Sequence, residues 1–345
     1  MKQILYSAII LGLLFIPSCV SVKQMPVGPK PGEKWRAIHL LNYTNDALLD
    51  SLSNKIPLLA EKGVNVIFLE VDYSFDFKSH PELRQGPSFI TKSGAEKFSE
   101  VCRDNNIKLV IEFQCFGHQS WAKKTFPLLT VYPDLDLTKG AYPNNDSIYC
   151  REWDPYNLKV NKIVYSLIDE LVDAFDVDGI HVGMDEVFLI NDKFAASTKD
   201  KNPAEVYAKV VNDLYDHITK QRHLQMYMWG DRLIDGTKLN MGAWEASQNG
   251  TYPAIDLIPK DIIVCDWHYD LRDEYSSVPM FLSKGFRVLP TSWKNKEASN
   301  KLIEYSKQFN DPKMLGHLFS FWNGSIDSMM NSQAMNEGLK LLVKK

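Results

Sequence analysis

The chain has 345 residues, 45% hydrophobic and 24% charged, and its 39 Lys and Arg against 43 Asp and Glu give a formal charge of −4. That is ordinary globular composition with enough chain to bury a full core, and it excludes a disordered, collagen-like or coiled-coil polypeptide. Basic residues are scattered rather than gathered into the positive surface that phosphate neutralisation needs, so nucleic acid is not an expected partner.

At the N-terminus, Lys2 precedes an apolar run from Ile4 to Ile16, the length of a signal peptide and too short for a spanning helix. Ile16-Pro17-Ser18-Cys19 follows, and it resembles the lipobox of bacterial lipoproteins. The resemblance implies cleavage before Cys19 and its acylation, which leaves 327 residues with a charge of −5 once Lys2 is removed. An ordinary secretory signal with an incidental cysteine is the alternative. Val20 to Glu33, with Pro26, Pro29, Pro31 and Gly32, has the composition of a solvated tether. The expected organisation is therefore a leader at 1–18, a lipid-anchored linker at 19–34 and one domain at 35–345, exported to the cell envelope, with the membrane as partner through the anchor. Cys102, Cys115, Cys150 and Cys265 show neither CxxC nor metal-ligand spacing, so their pairing stays open.

Beyond Trp35, short apolar or β-branched runs alternate with segments of helical period. Strands are predicted to begin near Arg36, Val64, Lys108, Gly179, Gln225, Ile262, Arg287 and Met314. Helices are predicted over Asp46–Lys62, stopped by Gly63, then Gly94–Asn105, Asn157–Phe175 and Pro203–Gln221. Eight strands with intervening helices predict an α/β fold of the (β/α)8 TIM-barrel type rather than a doubly wound open sheet. Long segments follow strands two, three and four, at Asp72–Phe89, Gln114–Asp154 and Val187–Asn202. In a barrel such loops build the active-site face.

One stretch carries the chemistry. From Val177 to Glu186 an apolar strand runs directly into two adjacent carboxylates, Asp185 and Glu186. Strand alternation gives His181, Gly183 and Asp185 one facing, and Glu186 falls where the strand ends and can swing over the same cavity. Two carboxylates sharing a pocket can divide into a neutral acid and a stabilising anion, which suits glycoside cleavage. An acidic pair at a strand end can equally cap the next helix.

His181-Val-Gly-Met-Asp-Glu186 resembles the His-x-Gly-Gly-Asp-Glu signature of family 20 glycoside hydrolases, the β-N-acetylhexosaminidases. Glu112-Phe-Gln-Cys-Phe-Gly-His118 is similar to that family's Glu-x-Asp-x-Pro-Gly-His segment. The resemblance implies a single catalytic barrel without the accessory domain that usually precedes it. It also implies retaining hydrolysis of β-linked N-acetylhexosamine in which the sugar's 2-acetamido oxygen attacks the anomeric carbon, with no metal or organic cofactor. By the same resemblance Asp185 stabilises the oxazolinium, Glu186 is the general acid and base, and Tyr269 orients the acetamido group. Trp229, Trp244, Trp267 and Trp322 form an aromatic pocket, and His118 supports the acid. Glu112 and His181 are expected beneath the site as supporting residues, while His39, Glu70 and His317 are expected to be structural. For the tryptophans, ordinary core packing is the alternative.

The departures are as informative. The family's strand-one Arg, which grips the outer hydroxyls, has no counterpart in His39-Leu-Leu-Asn42-Tyr-Thr. Gly324 stands where an acidic residue follows the strand-eight Trp, Gln114 replaces an Asp and Met184 replaces a Gly. These changes keep the acetamido chemistry and weaken the part of the pocket that reads hydroxyls, with Asn42, Asn323 or Asp270 as substitute contacts. Two other readings remain: a glycan-binding lipoprotein of glycosidase ancestry, and a glycosidase using two protein carboxylates directly. Oligomeric state is not legible.

Overall fold

The computed structural model describes residues 27–323 and 325–343. Cys19 with the lipobox-like segment before it, and Gly324, lie outside the described residues. Eight parallel strands close a barrel: β1 (Trp35–Leu40), β2 (Val66–Glu70), β3 (Lys108–Cys115), β4 (Gly179–Gly183), β5 (Gln225–Trp229), β6 (Ile263–Trp267), β7 (Arg287–Ser292) and β8 (Gly316–Phe321). The ring closes where β1 pairs with β8, from Trp35 opposite Gly316 to Leu40 opposite Phe321. A side chain at Gly316 would run into the backbone of Trp35, so the seam needs glycine there. Every predicted strand start lies within about two residues of the observed one.

The strands read as nearly continuous apolar runs because both faces are covered. Ala37, Val66, Phe68, Val110, Tyr227, Trp229, Ile263, Cys265, Leu289 and Leu318 point inward and fill the lower barrel. The alternate residues, among them Ile38, Ile67, Ile111, Ile180, Met226 and Val264, pack outward against the helices. Continuing up the inward rows, the side chains turn polar, through His39, Glu112 and His181, all fully buried. That change marks the floor of the mouth.

Helix ends follow local chemistry. Asn45, Thr91, Asn157, Asn202 and Asn295 each accept a backbone N–H with their side chains and start helices at Asp46, Lys92, Leu158, Pro203 and Lys296. The single helix predicted over 46–62 is two, Asp46–Ser53 and Ile56–Glu61, because Pro57 has no N–H to continue the ladder. Pro203–Tyr215 runs on into one wider π-type turn, Asp216–Gln221. Between β5 and β6 the described chain has only short 3-10 turns, Asp231–Leu233 and Tyr252–Asp256. The segment after β3 carries a small hairpin, Ser120–Trp121 against Lys124–Thr125, at the mouth. Cys102, Cys115, Cys150 and Cys265 are all buried and form no disulfide.

Candidate active site

The chain leaves β4 through an uncommon backbone. Gly183, Met184 and Glu186 have φ of +64°, +73° and +50°. At Gly183 a Cβ would displace the Gln114 amide, and glycine takes this positive φ without strain. Met184 and Glu186 have no such excuse, and left-handed non-glycine residues cost about 1–3 kcal/mol each unless their surroundings fix them. Three buried side chains do so. The Tyr207 hydroxyl donates to the Met184 carbonyl at 2.7 Å, Asp231 accepts the Glu186 N–H at 2.9 Å, and the Cys150 thiol lies 3.0 Å from the Glu186 carbonyl. Asp231 is in turn held by the fully buried Arg232, whose Nε donates at 2.6 Å. The other end of that guanidinium binds the carbonyls of Ala243, Trp244 and Ala246. Burial pushes Asp231 up to about 6, with Arg232 pulling the other way.

Asp185 and Glu186 meet at His118. Its Nε2 lies 3.2 Å from Asp185 Oδ2 and 3.0 Å from Glu186 Oε2. Because both oxygens face one nitrogen, their separation cannot exceed the two distances together, 6.2 Å. Burial opposes a charged imidazole, but Asp185 and Glu186 outweigh it and hold His118 well above its ordinary value. Gly117 is what lets the turn approach, since a Cβ there would sit 2.5 Å from the Asp185 carbonyl. The remaining Asp185 oxygen, Oδ1, is buried and makes no hydrogen bond within the described residues.

Across the cleft stands Tyr269. Trp322 Nε1 donates to its hydroxyl at 2.7 Å, and the Ser320 side chain is a second hydrogen-bond partner of the phenol. Burial pushes the phenol above its usual range, so it stays protonated. Trp267 stacks on its ring at 4.9 Å and 25°, and Trp293 meets it edge-on at 5.6 Å. These residues, with Glu70, Asp72, Gln114, Trp121, Phe126, Tyr149 and Asn323, wall a cleft of about 390 Å³ at the C-terminal mouth.

Not every residue expected at the pocket reaches it. Trp229 is fully buried and outside the cleft wall; its Nε1 donates to Glu112 at 3.1 Å. The register explains this, because Trp229 lies opposite Cys265, two residues below Trp267. Trp244 is half exposed and packs on Tyr149 at 4.7 Å and Phe188 at 5.4 Å, so Tyr149 is the wall and Trp244 its outer buttress. Asp270 is exposed in the bend after Tyr269 and outside the wall.

Glu112 and His181 lie beneath the cleft in a network that also includes His39. Glu112 Oε1 is 3.1 Å from both His181 Nδ1 and Trp229 Nε1, and Oε2 is 2.7 Å from His39 Nε2, off the line of an ideal hydrogen bond. Burial would raise Glu112, yet His181 and His39 outweigh it and hold the carboxyl below its ordinary range. Glu70, expected to be structural, lines the cleft, as does Asp72, which accepts the Gln114 N–H at 2.8 Å. Burial, reinforced by Asp72 and Glu112, pushes Glu70 well up, and burial lifts Asp72 to about 7. Two trios, His39–Glu70–Glu112 and His118–Asp185–Glu186, bring possible ligand atoms within 4.8 Å of one another, but in each an imidazole already faces a carboxylate directly.

Paired carboxylates, a protonated phenol and indole walls lie together on the loop-built face of a closed parallel barrel, the face where TIM barrels carry their sites. The chain belongs to glycosyl hydrolase family 20, whose catalytic domain matches residues 42–334. Among solved structures it is similar to a β-N-acetylhexosaminidase from Bacteroides fragilis, with 15% identity and a TM-score of 0.61 over 89% of this chain and 65% of that one. A chitobiase from Flavobacterium johnsoniae is 18% identical, with a TM-score of 0.63 over 90% and 48% of the two chains. An exo β-N-acetylglucosaminidase from Vibrio harveyi, solved in complex with N-acetylglucosamine, is 15% identical, with a TM-score of 0.61 over 90% and 55%. The chain thus spans about half to two thirds of the length of these proteins.

Proposed function

We propose that the protein is a glycosidase that cleaves β-linked N-acetylhexosamine with retention, the substrate's own acetamido oxygen serving as nucleophile. The observation that carries this reading is that Asp185, whose buried Oδ1 has no hydrogen-bond partner among the described residues, lines the same cleft as Tyr269. An acetamido group has what these two ask for. Its N–H donates to Asp185 and its carbonyl accepts from Tyr269, which turns the oxygen toward the anomeric carbon. Proximity makes such an internal attack fast.

As the C–O bond to the leaving group breaks, Glu186 gives its proton to the departing oxygen and Asp185 offsets the charge growing on the oxazolinium. A water molecule then adds at the anomeric carbon, returning a proton to Glu186 and re-forming the acetamide. The indole faces of Trp267, Trp293 and Trp322 supply apolar contact for pyranose C–H groups.

The test is hydrolysis of N-acetyl-β-hexosaminide conjugates by the wild type and by Glu186→Gln, with an N-thioacetyl sugar as inhibitor. Expected are turnover, inhibition by the thioamide, and a loss of about 10²–10⁴-fold in the variant on unactivated substrates. Sugar binding without turnover by the wild type would favour the glycan-binding reading. Turnover indifferent to the 2-acetamido group would favour two protein carboxylates. We also propose that Cys19 is acylated and anchors the chain to the cell envelope, so Cys19→Ser should release it from the membrane fraction.

A further inference from the structure

The chain enters the barrel at the end opposite the cleft, and it is fastened there before β1 begins. Gly28 is buried, its N–H donates to the Asn106 side chain at 3.1 Å, and a Cβ in its place would sit 2.5 Å from the Cβ of Lys108, the first residue of β3. Val27 walls a recess shared with Val177 and Asp178, the residues just before β4. From there the chain crosses the base of the barrel. The Glu33 N–H closes a turn onto the Lys30 carbonyl at 2.9 Å, and Arg36 donates to the Glu33 carboxylate at 2.8 Å. Asn65, at the foot of β2, donates to the Lys34 carbonyl at 3.1 Å, and Lys34 Nζ donates to the carbonyl of Met314, at the foot of β8, at 2.5 Å. Residues 27–34 are thus held along the N-terminal ends of the strands, while Asp185, Glu186 and Tyr269 line the cleft at their C-terminal ends.

Building on the acylation of Cys19 proposed above, we infer that the lipid bilayer faces the base of the barrel and that the cleft points away from it, so the glycan hydrolysed is one not embedded in the enzyme's own membrane. Residues 20–26 alone separate Cys19 from the fastened chain. At about 3.3–3.6 Å per residue they let Val27 stand at most about 29 Å from the acylated residue. The eight residues of β3, rising about 3.3 Å each on a strand tilted by about 36°, put the mouth roughly 21 Å above the base. The cleft then works roughly 20–50 Å from the bilayer surface. Turning the mouth toward the bilayer would lift Val27 by the whole depth of the barrel and by the segments that overtop it, which uses up the full reach of the tether. With the base toward the lipid the tether stays slack, and conformational entropy favours slack.

The acylated full-length protein, reconstituted in phosphatidylcholine vesicles, tests this. A dye is placed at Asn310→Cys, in the exposed turn before β8 at the base, or at Lys124→Cys, on the exposed hairpin at the mouth, the four native thiols of the domain being buried. Energy transfer to acceptor-labelled lipids should be about twice as efficient from the base as from the mouth, and inserting about 40 Gly and Ser residues after Pro26 should bring the two to parity. With a glycolipid ending in β-linked N-acetylhexosamine in the same vesicles, the long-tether variant should turn over about tenfold faster than the wild type, while both cleave a soluble conjugate equally. Equal transfer from the two labels in the wild type, or glycolipid cleaved as fast by the wild type as by the long-tether variant, overturns the inference and leaves the proposed chemistry and anchor standing. Protein that stays free of the vesicles overturns the anchor and the inference together. Failure to cleave either substrate overturns the proposed chemistry, and the two labels still decide the orientation.

Discussion

Replacing Glu112 by Gln removes a charge from the centre of the barrel without changing volume. The carboxylate is fully buried and faces His39 at 2.7 Å and both His181 and Trp229 at 3.1 Å. An amide keeps one acceptor and replaces the other oxygen with an N–H donor, which faces either His39 or the side from which Trp229 and Gln114 already donate. One charge-assisted contact is lost, about 1.5–3 kcal/mol, and a buried donor left without an acceptor adds about 1–3 kcal/mol. A total near 4 kcal/mol corresponds to a fall in Tm of roughly 6 °C, at about 2.1 cal/mol/K of unfolding entropy per residue over a domain of this size. The pH dependence has a definite sign. Because the folded carboxyl is held below its ordinary value, its stabilisation is complete above about pH 4.5 and fades as pH falls toward the folded value. Thermal unfolding by circular dichroism at pH 7, and at steps below pH 4.5, should show a wide gap between wild type and variant that narrows with acid. A Tm within about 2 °C of wild type at pH 7, or a gap that does not narrow, would refute the electrostatic account of this network.

The remaining predictions concern the cleft. Tyr269→Phe keeps the stack on Trp267 and removes the hydroxyl, so kcat/KM on N-acetylhexosaminides should fall about 10²–10³-fold with little change in Tm, as for loss of one preorganised donor. For His118, NMR titration of the imidazole should place its midpoint above that of an ordinary histidine, since Asp185 and Glu186 hold it there, and Asp185→Asn should bring the midpoint down. Its contribution to stability is fully present below about pH 6.5 and is lost as pH rises through the folded value, so wild-type Tm should decline on the alkaline side more steeply than that of His118→Gln.

Much of this was legible because parallel strands buried on both faces advertise themselves as apolar runs, and because Asp185-Glu186 terminates one of them. What escaped depended on depth. Trp229 and Trp267 both close an apolar strand, yet register sets Trp229 two residues lower, about 7 Å down the barrel, among packed side chains instead of at the mouth. Glu70 shares the inward parity of Val66 and Phe68, a signal that could have placed it at the cleft. Trp293 directly follows β7 and satisfied the same rule that selected Trp322. Trp121, Phe126 and Tyr149 lie in the long segment after β3, whose path is set by side-chain contacts within the segment itself, such as Arg151 with Asp136 and the carbonyls of Ala141 and Tyr142, and no periodicity encodes it. The break at Pro57 was available from the residue type alone.

Asn42, Asp72, Phe116, His118, Met184 and Glu186 all follow barrel strands with positive φ and none is glycine. Residues at the business end of the molecule therefore hold the chain in shapes it would relinquish if their clamps were loosened. Selection for heat resistance alone, acting blindly on this sequence, would relax those positions first and blunt the enzyme as it hardened. Engineering for durability belongs on the outer helices, well away from the rim, where firmness and chemistry do not compete.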